Sequence, residues 1–462
     1  MKTPQLKVLA ALAIVACAGS SAWAGDLKSE LIYLRENNPL LRATTFAVGA
    51  AEEREGAAFA GWFPKLSVSA DGGREKIAST NLTNGQPGQE IATDLQRKKK
   101  GVTLEQNIFN GGRTLATTSI AKLERDIKSA EQRATSQEVL LEAMVAYLQV
   151  LKNHMLISLS AINEETTQKQ LFLEKMRVEK GGGIAVDELQ AETRLQVVRE
   201  RRVVYEQGMR DALAAYEQVF GKSPDMSQFQ DVSNFVKVMP KTLDEAMALG
   251  LENNPRLMAT KLAADKASKA INLERAAYMP SFDVAVTHNR DNLAAGLYKK
   301  DEDSVLMKMS WNLFSGGETV KRSKAAAFDQ KEAAERELNA RNKTREAVRM
   351  AWNQYQKGVE RVELLENATK TSRAVMNGRK KLRDSGKETA LAVLDAEVEH
   401  FGVLANKVNA MIDAKMGSYR LLSALGKLDI ESLNLEQGQF EIPVQSIDRA
   451  VKALVGDELL IR

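Results

Sequence analysis

The sequence predicts a mainly α-helical chain that carries a smaller β portion, with the whole plan laid down twice. Composition is the first sign: aromatic residues make up 5% of the 462 residues and there are only nine prolines, a balance that favours long helices over a β-rich domain. The second is a duplication. Glu36-Asn37-Asn38-Pro39 returns as Glu252-Asn253-Asn254-Pro255, and Gly61-Trp62-Phe63-Pro64 as Ala277-Tyr278-Met279-Pro280, both at an offset of 216. Asn107-Ile108-Phe109-Asn110-Gly111-Gly112 returns as Asn312-Leu313-Phe314-Ser315-Gly316-Gly317, Ala146-Tyr147 as Ala351-Trp352, Ala191-Glu192 as Ala396-Glu397 and Gly221 as Gly426, all at 205. The offsets differ by 11 residues, which places the difference between the halves in one loop. The third sign is a change of hydrophobic period from helical to two after each proline.

Residues 1–24 read as a signal peptide, because Lys2 and Lys7 precede an apolar run from Val8 to Ala16 and the stretch closes with Ala22-Trp23-Ala24. A rival reading is a lipoprotein signal acylated at Cys17. Cleavage after Ala24 removes the single cysteine, so packing alone holds the exported chain together. It also leaves 63 basic against 61 acidic residues, a balance that argues against nucleic acid as a partner.

The first repeat spans residues 25–221 and the second 242–426, with 222–241 as a linker and 427–462 as a C-terminal segment. Each repeat reads as helix, strand, loop, strand, very long helix, turn, helix. Asp26 and Thr242 are the expected N-caps, Thr242 with Glu245 in a capping-box pattern, and the helices they open run to Pro64 and Pro280.

Beyond each proline, Leu66, Val68 and Ala70 alternate with Ser67, Ser69 and Asp71, and Val102, Leu104 and Ile108 alternate with Thr103, Glu105 and Asn107. In the second repeat the apolar sets are Phe282, Val284 and Val286, then Val305, Met307, Met309, Trp311 and Leu313. Two hairpins follow, 65–109 and 281–314, with 78–96 as the exposed tip of the first. The glycine pairs Gly111-Gly112 and Gly316-Gly317 close the strands. Residues 113–180 and 318–385 then run without proline, about 100 Å of helix each. Leu140, Met144, Leu148, Leu151, Met155, Leu159 and Ile162 form a narrow seam suited to a coiled-coil neighbour. Each long helix reverses at glycines, Gly181-Gly182-Gly183 or Gly386, into a shorter helix over about 187–220 or 390–425.

No stretch beyond the leader approaches the roughly 20 apolar residues of a membrane-spanning helix. Membrane insertion must therefore use strands, and four strands cannot close a barrel whose edges are exposed to lipid. Three copies supply twelve, an even number within the range of outer-membrane barrels.

The paired Asn-Asn-Pro helices, the Phe/Met-Pro strand openings, the Phe-x-Gly-Gly strand endings and the glycine turns followed by Leu-x-Ala-Glu (Leu189 to Glu192 and Leu394 to Glu397) resemble the TolC family of outer-membrane efflux proteins over nearly the whole mature chain. The resemblance implies a homotrimer whose twelve transmembrane strands form a pore in outer-membrane lipid. A helical coiled-coil barrel continues it as a tunnel through the periplasm, where an adaptor and an inner-membrane pump, ABC-type or proton-driven, engage it. It further implies acidic groups at the periplasmic entrance, Asp187 and Asp395, and adaptor-docking tips around Gly181, Gly182, Gly183 and Gly386, with Arg177 and Arg383 nearby. The sequence departs from the family pattern at Ala392, where a second acidic ring belongs, and at Glu388, where a gate-linking arginine belongs.

Several residues keep a second reading. Asp187 and Asp395 also suit a carboxylate near a helix N-terminus, and Arg97-Lys98-Lys99-Lys100 either meets lipid phosphates or forms a solvated loop edge. His154, His288 and His400 form no ligand-spaced cluster, and Gly221-Lys222-Ser223 lacks the first glycine of a phosphate loop, Tyr216 standing in its place. The sequence thus predicts no enzyme, metal or cofactor. The competing function is an exported periplasmic coiled-coil scaffold or adaptor, and within the channel class, efflux and type I secretion both remain.

Overall fold

The computed structural model describes residues 27–83, 86–226, 229, 239–293 and 298–430. The expected leader, Cys17 and Asp26, most of the linker and the C-terminal segment from 431 lie outside them. The first repeat contains α1 (Leu27–Asn37), α2 (Pro39–Phe59), β1 (Lys65–Thr83), β2 (Gln86–Asn110), α3 (Arg113–Glu179) and α4 (Ala185–Phe220). The second contains α5 (Leu243–Asn253), α6 (Pro255–Arg275), β3 (Ser281–Leu293), β4 (Tyr298–Ser310), α7 (Glu318–Asp384) and α8 (Ala390–Ala424).

The opening helix of each repeat is two helices rather than the single one expected to run on to the proline. A residue before proline is pushed out of the α region, and Asn38 and Asn254 sit extended at ψ 123° and 116°. Each asparagine caps the helix that its proline opens: Asn38 Oδ1 accepts from Leu40 N at 2.9 Å, and Asn254 Oδ1 from Arg256 N at 3.0 Å. Thr242 caps α5 as expected, its Oγ1 accepting from Glu245 N at 3.2 Å. Glu245 returns a bond to the backbone at Lys241, 2.8 Å, one residue earlier than in the standard box.

The strands form one antiparallel sheet in the order β1-β2-β3-β4. Residues 78–96, expected as a loop, are mostly ladder: β1 and β2 stay paired out to Thr83 opposite Gln86. The second hairpin ends at Leu293 opposite Tyr298, so the 11 extra residues lengthen strands instead of a loop. The second correction is at β4, which stops at Ser310 although Trp311 and Leu313 continue its alternation. Their counterparts, Gln106 to Asn110, lie beyond the end of β1 and pair only with β3. β4 is the sheet edge and has no such neighbour among the described residues.

Both long helices are 67 residues, about 100 Å. They contribute unequally to the core. Leu140, Met144, Leu148 and Leu151 of α3 are buried in the principal cluster, against Leu404, Val408, Ile412 and Tyr419 of α8 and Tyr216 of α4. Among its described contacts α7 buries little beyond Val348, Ala351, Trp352 and Met376, and it leaves Phe328, Leu338 and Met350 exposed.

Candidate channel entrance and membrane-facing band

The cross-strand register sorts the sheet into two chemically different faces. On one, Leu66, Leu104, Val286 and Val305 lie abreast across all four strands. Val68 and Val102 adjoin on one side, Val284 and Met307 on the other, then the row Phe109, Phe282 and Met309. Most of these side chains are exposed: Val68 is 76% exposed, Val305 72% and Met307 71%. A contiguous apolar sheet face of this size is the mark of contact with lipid or protein. At its helix-proximal margin Trp62, Phe63, Tyr278, Trp311 and Phe314 are also exposed, like the aromatic girdle at a membrane interface.

The opposite face carries Lys65, Ser67, Ser69 and Asp71 on β1, Thr103 and Glu105 on β2, and Asp283, Thr287 and Asn289 on β3. It is closely packed near its centre. A Cβ on Gly101 would lie 2.5 Å from Asn289 Oδ1 and 2.9 Å from Ser69 Oγ, so a larger residue there has to displace both side chains. Asn107 Nδ2 donates to Asp283 Oδ1 at 2.7 Å across the two repeats. One face is therefore suited to hydrocarbon and the other to water.

At the far end of the long helices the reversals are Schellman turns. Gly181 N donates to Val178 O at 2.9 Å and Gly182 N to Arg177 O at 3.0 Å. The second repeat matches bond for bond, with Gly386 N to Arg383 O and Lys387 N to Leu382 O, both 2.9 Å. Of the four tip glycines only Gly181 and Gly386 adopt positive φ, 75° and 73°. Gly183 is required for space instead, because a Cβ there would lie 2.9 Å from Val178 Cγ2, and Gly182 faces no comparable restriction. The strand-closing glycines are all left-handed, at φ 68° and 84° for Gly111 and Gly112 and 64° and 85° for Gly316 and Gly317.

Near the tips Leu171 of α3, Ala191 and Leu195 of α4 and Leu394 of α8 form one small core that fastens the two hairpins together. Asp395 is next to Leu394 but points outward, and it pairs with Arg194 of α4. Asp187 lies in the first turn of α4 and has no ion pair among the described residues. Arg177 donates from Nε to Gly182 O at 3.0 Å, bracing its own turn, while Arg383 reaches Gln170 Oε1 of α3 at 3.0 Å. Glu388 closes the second turn by pairing with Arg379 at 3.7 Å, and Thr389 caps α8 by accepting from Ala392 N at 3.2 Å. The geometry thus brings Asp395 and Arg383 to the contact between repeats and leaves Asp187 apart. Arg194 was not legible as its partner, because no motif joins residues 201 positions apart.

About one turn above Asp395 lies a buried polar cluster that sequence reading missed. His400 is fully buried, with Nδ1 2.8 Å from Ser372 Oγ. Burial, then the positive charges of Arg373 and Lys380, pull its pKa down from 6.5 to about 4. Glu397 is 2% exposed, and Lys380 Nζ stands 2.8 Å from its Oε1. That approach is off the hydrogen-bond axis, so the contact is an ion pair and neither oxygen accepts an aligned bond. The signal lay in Leu-x-Ala-Glu: its alanine is buried in both repeats, but Glu397 is buried where Glu192 is exposed. Among the described residues no three His, Cys, Asp or Glu side chains could hold a metal ion, and no helix is long and apolar enough to cross a membrane.

An exposed apolar sheet with an aromatic margin, joined to 100 Å helical hairpins with glycine tips, defines an outer-membrane channel protein of the kind with a periplasmic helical tunnel. The family model for outer membrane efflux proteins matches residues 33–222 and 247–427. The chain belongs to that family, and its place is the cell outer membrane. It is 24% identical over 430 residues to the outer membrane efflux protein BepC of Brucella suis biovar 1, covering 92% of this chain and 90% of that one. It is 23% identical over 430 residues to the alkaline protease secretion protein AprF of Pseudomonas aeruginosa, covering 90% and 88%. To the outer membrane protein TolC of Vibrio cholerae it is 22% identical over 433 residues, covering 92% and 96%. Its fold matches solved structures of CusC (TM-score 0.75, 17% identity, 87% and 92% covered) and of VceC from Vibrio cholerae (0.75, 15%, 87% and 96%). The reading as a periplasmic scaffold or adaptor gives way to the channel.

Proposed function

We propose that the chain is one protomer of a homotrimer whose twelve strands form a pore in the outer membrane and whose helices continue it towards the inner membrane. The observation that carries this is the four-stranded sheet with one exposed apolar face and, among the described residues, two unpaired edges. In lipid, unpaired edges are untenable, and sister strands are the simplest way to satisfy them. On this reading the repeats 25–221 and 242–426 are quasi-equivalent staves, and residues 1–24 direct export.

The glycine tips face the periplasmic entrance and dock a periplasmic adaptor, which links the conduit to an ABC or proton-driven pump in the inner membrane. Asp395, repeated three times, gives that entrance its preference for cations, and Arg194 restrains it. The energy for transport, and with it the choice between efflux and type I secretion, belongs to the pump. Detergent extraction of outer membranes tests the assembly. The expected result is a trimer that resists dodecyl sulfate at room temperature and collapses to protomers on boiling. Recovery of a soluble periplasmic monomer overturns it.

A further inference from the structure

The run Arg97-Lys98-Lys99-Lys100 divides by the pleat of β2. Lys98 and Lys100 project to the apolar, outward face and are exposed; Arg97 and Lys99 turn to the polar face and are half-buried, with Arg97 paired to Asp71 at 3.4 Å. Abreast of Lys100 stands Arg290 on β3, and abreast of Lys98, past Asn292, stands Lys299 on β4. The Arg290 guanidinium is already held by Asp301, with Nε 2.6 Å from Oδ1, and His288 below it by Asp303, at 2.6 Å. Lys98, Lys100 and Lys299 have no such partner among the described residues. They form a belt of three cations across β2 and β4, repeated in every protomer.

The belt lies at a defined height. From Phe282 to Arg290 is eight residues and from Trp311 to Lys299 twelve, about 27 and 41 Å along a strand, or about 21 and 31 Å along the normal at a tilt of about 40°. Those values bracket the roughly 25 Å apolar band of an outer-membrane barrel. One margin of the band is therefore aromatic, and among the described side chains the other is cationic. An indole suits either interface of a neutral bilayer, whereas ammonium groups on the barrel's outer face are drawn to an anionic layer.

We infer that Lys98, Lys100 and Lys299 form a binding surface for phosphate-bearing lipid headgroups at the outer end of the barrel. This rests on the barrel proposed above. Lysine binds phosphate as a point charge and places its stem along the acyl boundary. Simple snorkelling would give the same position but no preference among headgroups, and that difference is measurable.

The test uses the whole trimer reconstituted into phosphatidylcholine bilayers, with the association of spin-labelled phosphatidic acid measured against spin-labelled phosphatidylcholine. Wild type should prefer phosphatidic acid, the preference falling about fivefold for Lys98→Gln or Lys100→Gln alone. In the triple variant with Lys299→Gln it should fall to unity, while Arg97→Gln with Lys99→Gln leaves it unchanged. An equal preference for both lipids in wild type, retention of the preference in the triple variant, or displacement by millimolar inorganic phosphate overturns the inference. Planar-bilayer conductance of the same preparations separates the two layers of argument. Channels without headgroup preference refute the belt alone, whereas absence of channels in wild type refutes the barrel.

Discussion

On the proposed channel, Asp395 and Arg194 form the ion pair that sets the charge of the entrance. The carboxylate is exposed on α8, yet its charge is answered within the same chain by a cation on α4. Removing the cation should expose the ring: Arg194→Ala is expected to raise the cation preference of single channels and Asp395→Ala to abolish it. Equal reversal potentials in the two variants would remove both residues from the entrance. His400 gives a second prediction. Because its folded pKa of about 4 lies below the unfolded value of 6.5, the unfolded state binds the proton more readily between those values. His400 therefore adds stability above pH 6.5 that is lost as pH falls towards 4, on the order of 3 kcal/mol per protomer at the acid limit. In His400→Gln the drop in melting temperature between pH 7 and pH 4.5 should shrink, and an unchanged drop would show that other groups carry it.

At the level of elements, the tips and caps show what pattern can and cannot reveal. The glycine turns were legible because a left-handed C-cap favours glycine, but of three adjacent glycines one is held by its φ, one by space and one by neither. Gly181→Ala should strain the backbone by about 1 kcal/mol, Gly183→Ala should collide with Val178, and Gly182→Ala should be nearly silent. Hydrogen exchange at the tip amides checks the order, and equal acceleration in all three contradicts it. The helix pairs were misread as one helix because apolar periodicity continues through Asn38-Pro39, and only the local dihedral restriction breaks it. Residues 78–96 read as loop because Asn, Gly and Gln are frequent there, yet their backbones pair as a ladder. The duplication, hairpins and long helices were plain because each depends on spacing alone. Arg194, Lys380 and His400 were not, because their roles come from contacts between helices distant in sequence.

Across the whole molecule, the internal repeat predicts contacts that one chain cannot make. Lys65 opposite Glu105 and Ser281 opposite Ser310 are the same pair at offsets 216 and 205, so the two hairpins share one register. If the seam between protomers copies the seam between repeats, the pairing of Glu105 with Ala285 maps onto Ser310 against Ser69 of the next copy. Likewise Gly111, whose Cβ would lie 2.6 Å from Ala276 O, maps onto Gly316 against the turn at Ala60. A Ser69→Cys, Ser310→Cys variant should therefore give a covalent trimer on oxidation. Dimers linked only through a pair one or two positions away would revise the register. The copies are not chemically identical. Lys266 meets Glu124 at 2.6 Å and Arg256 meets Glu138 at 2.6 Å within the chain, but their counterparts are Ala50 with Asp329 and Leu40 with Lys343. A seam between chains built on that register would give up both ion pairs, and exposed Phe46 and Phe328 would offer it apolar surface instead.

The unequal hairpins carry a consequence for anything arriving from outside the cell. β1 is 19 residues and β3 is 13, so the first hairpin stands about 20 Å further along the strand direction than the second. An assembly of near sixfold regularity at its base would end in a crown with three tall merlons separated by three low gaps. A phage fibre, an antibody or a protease would meet threefold ground there and would grip the first repeat while passing over the second.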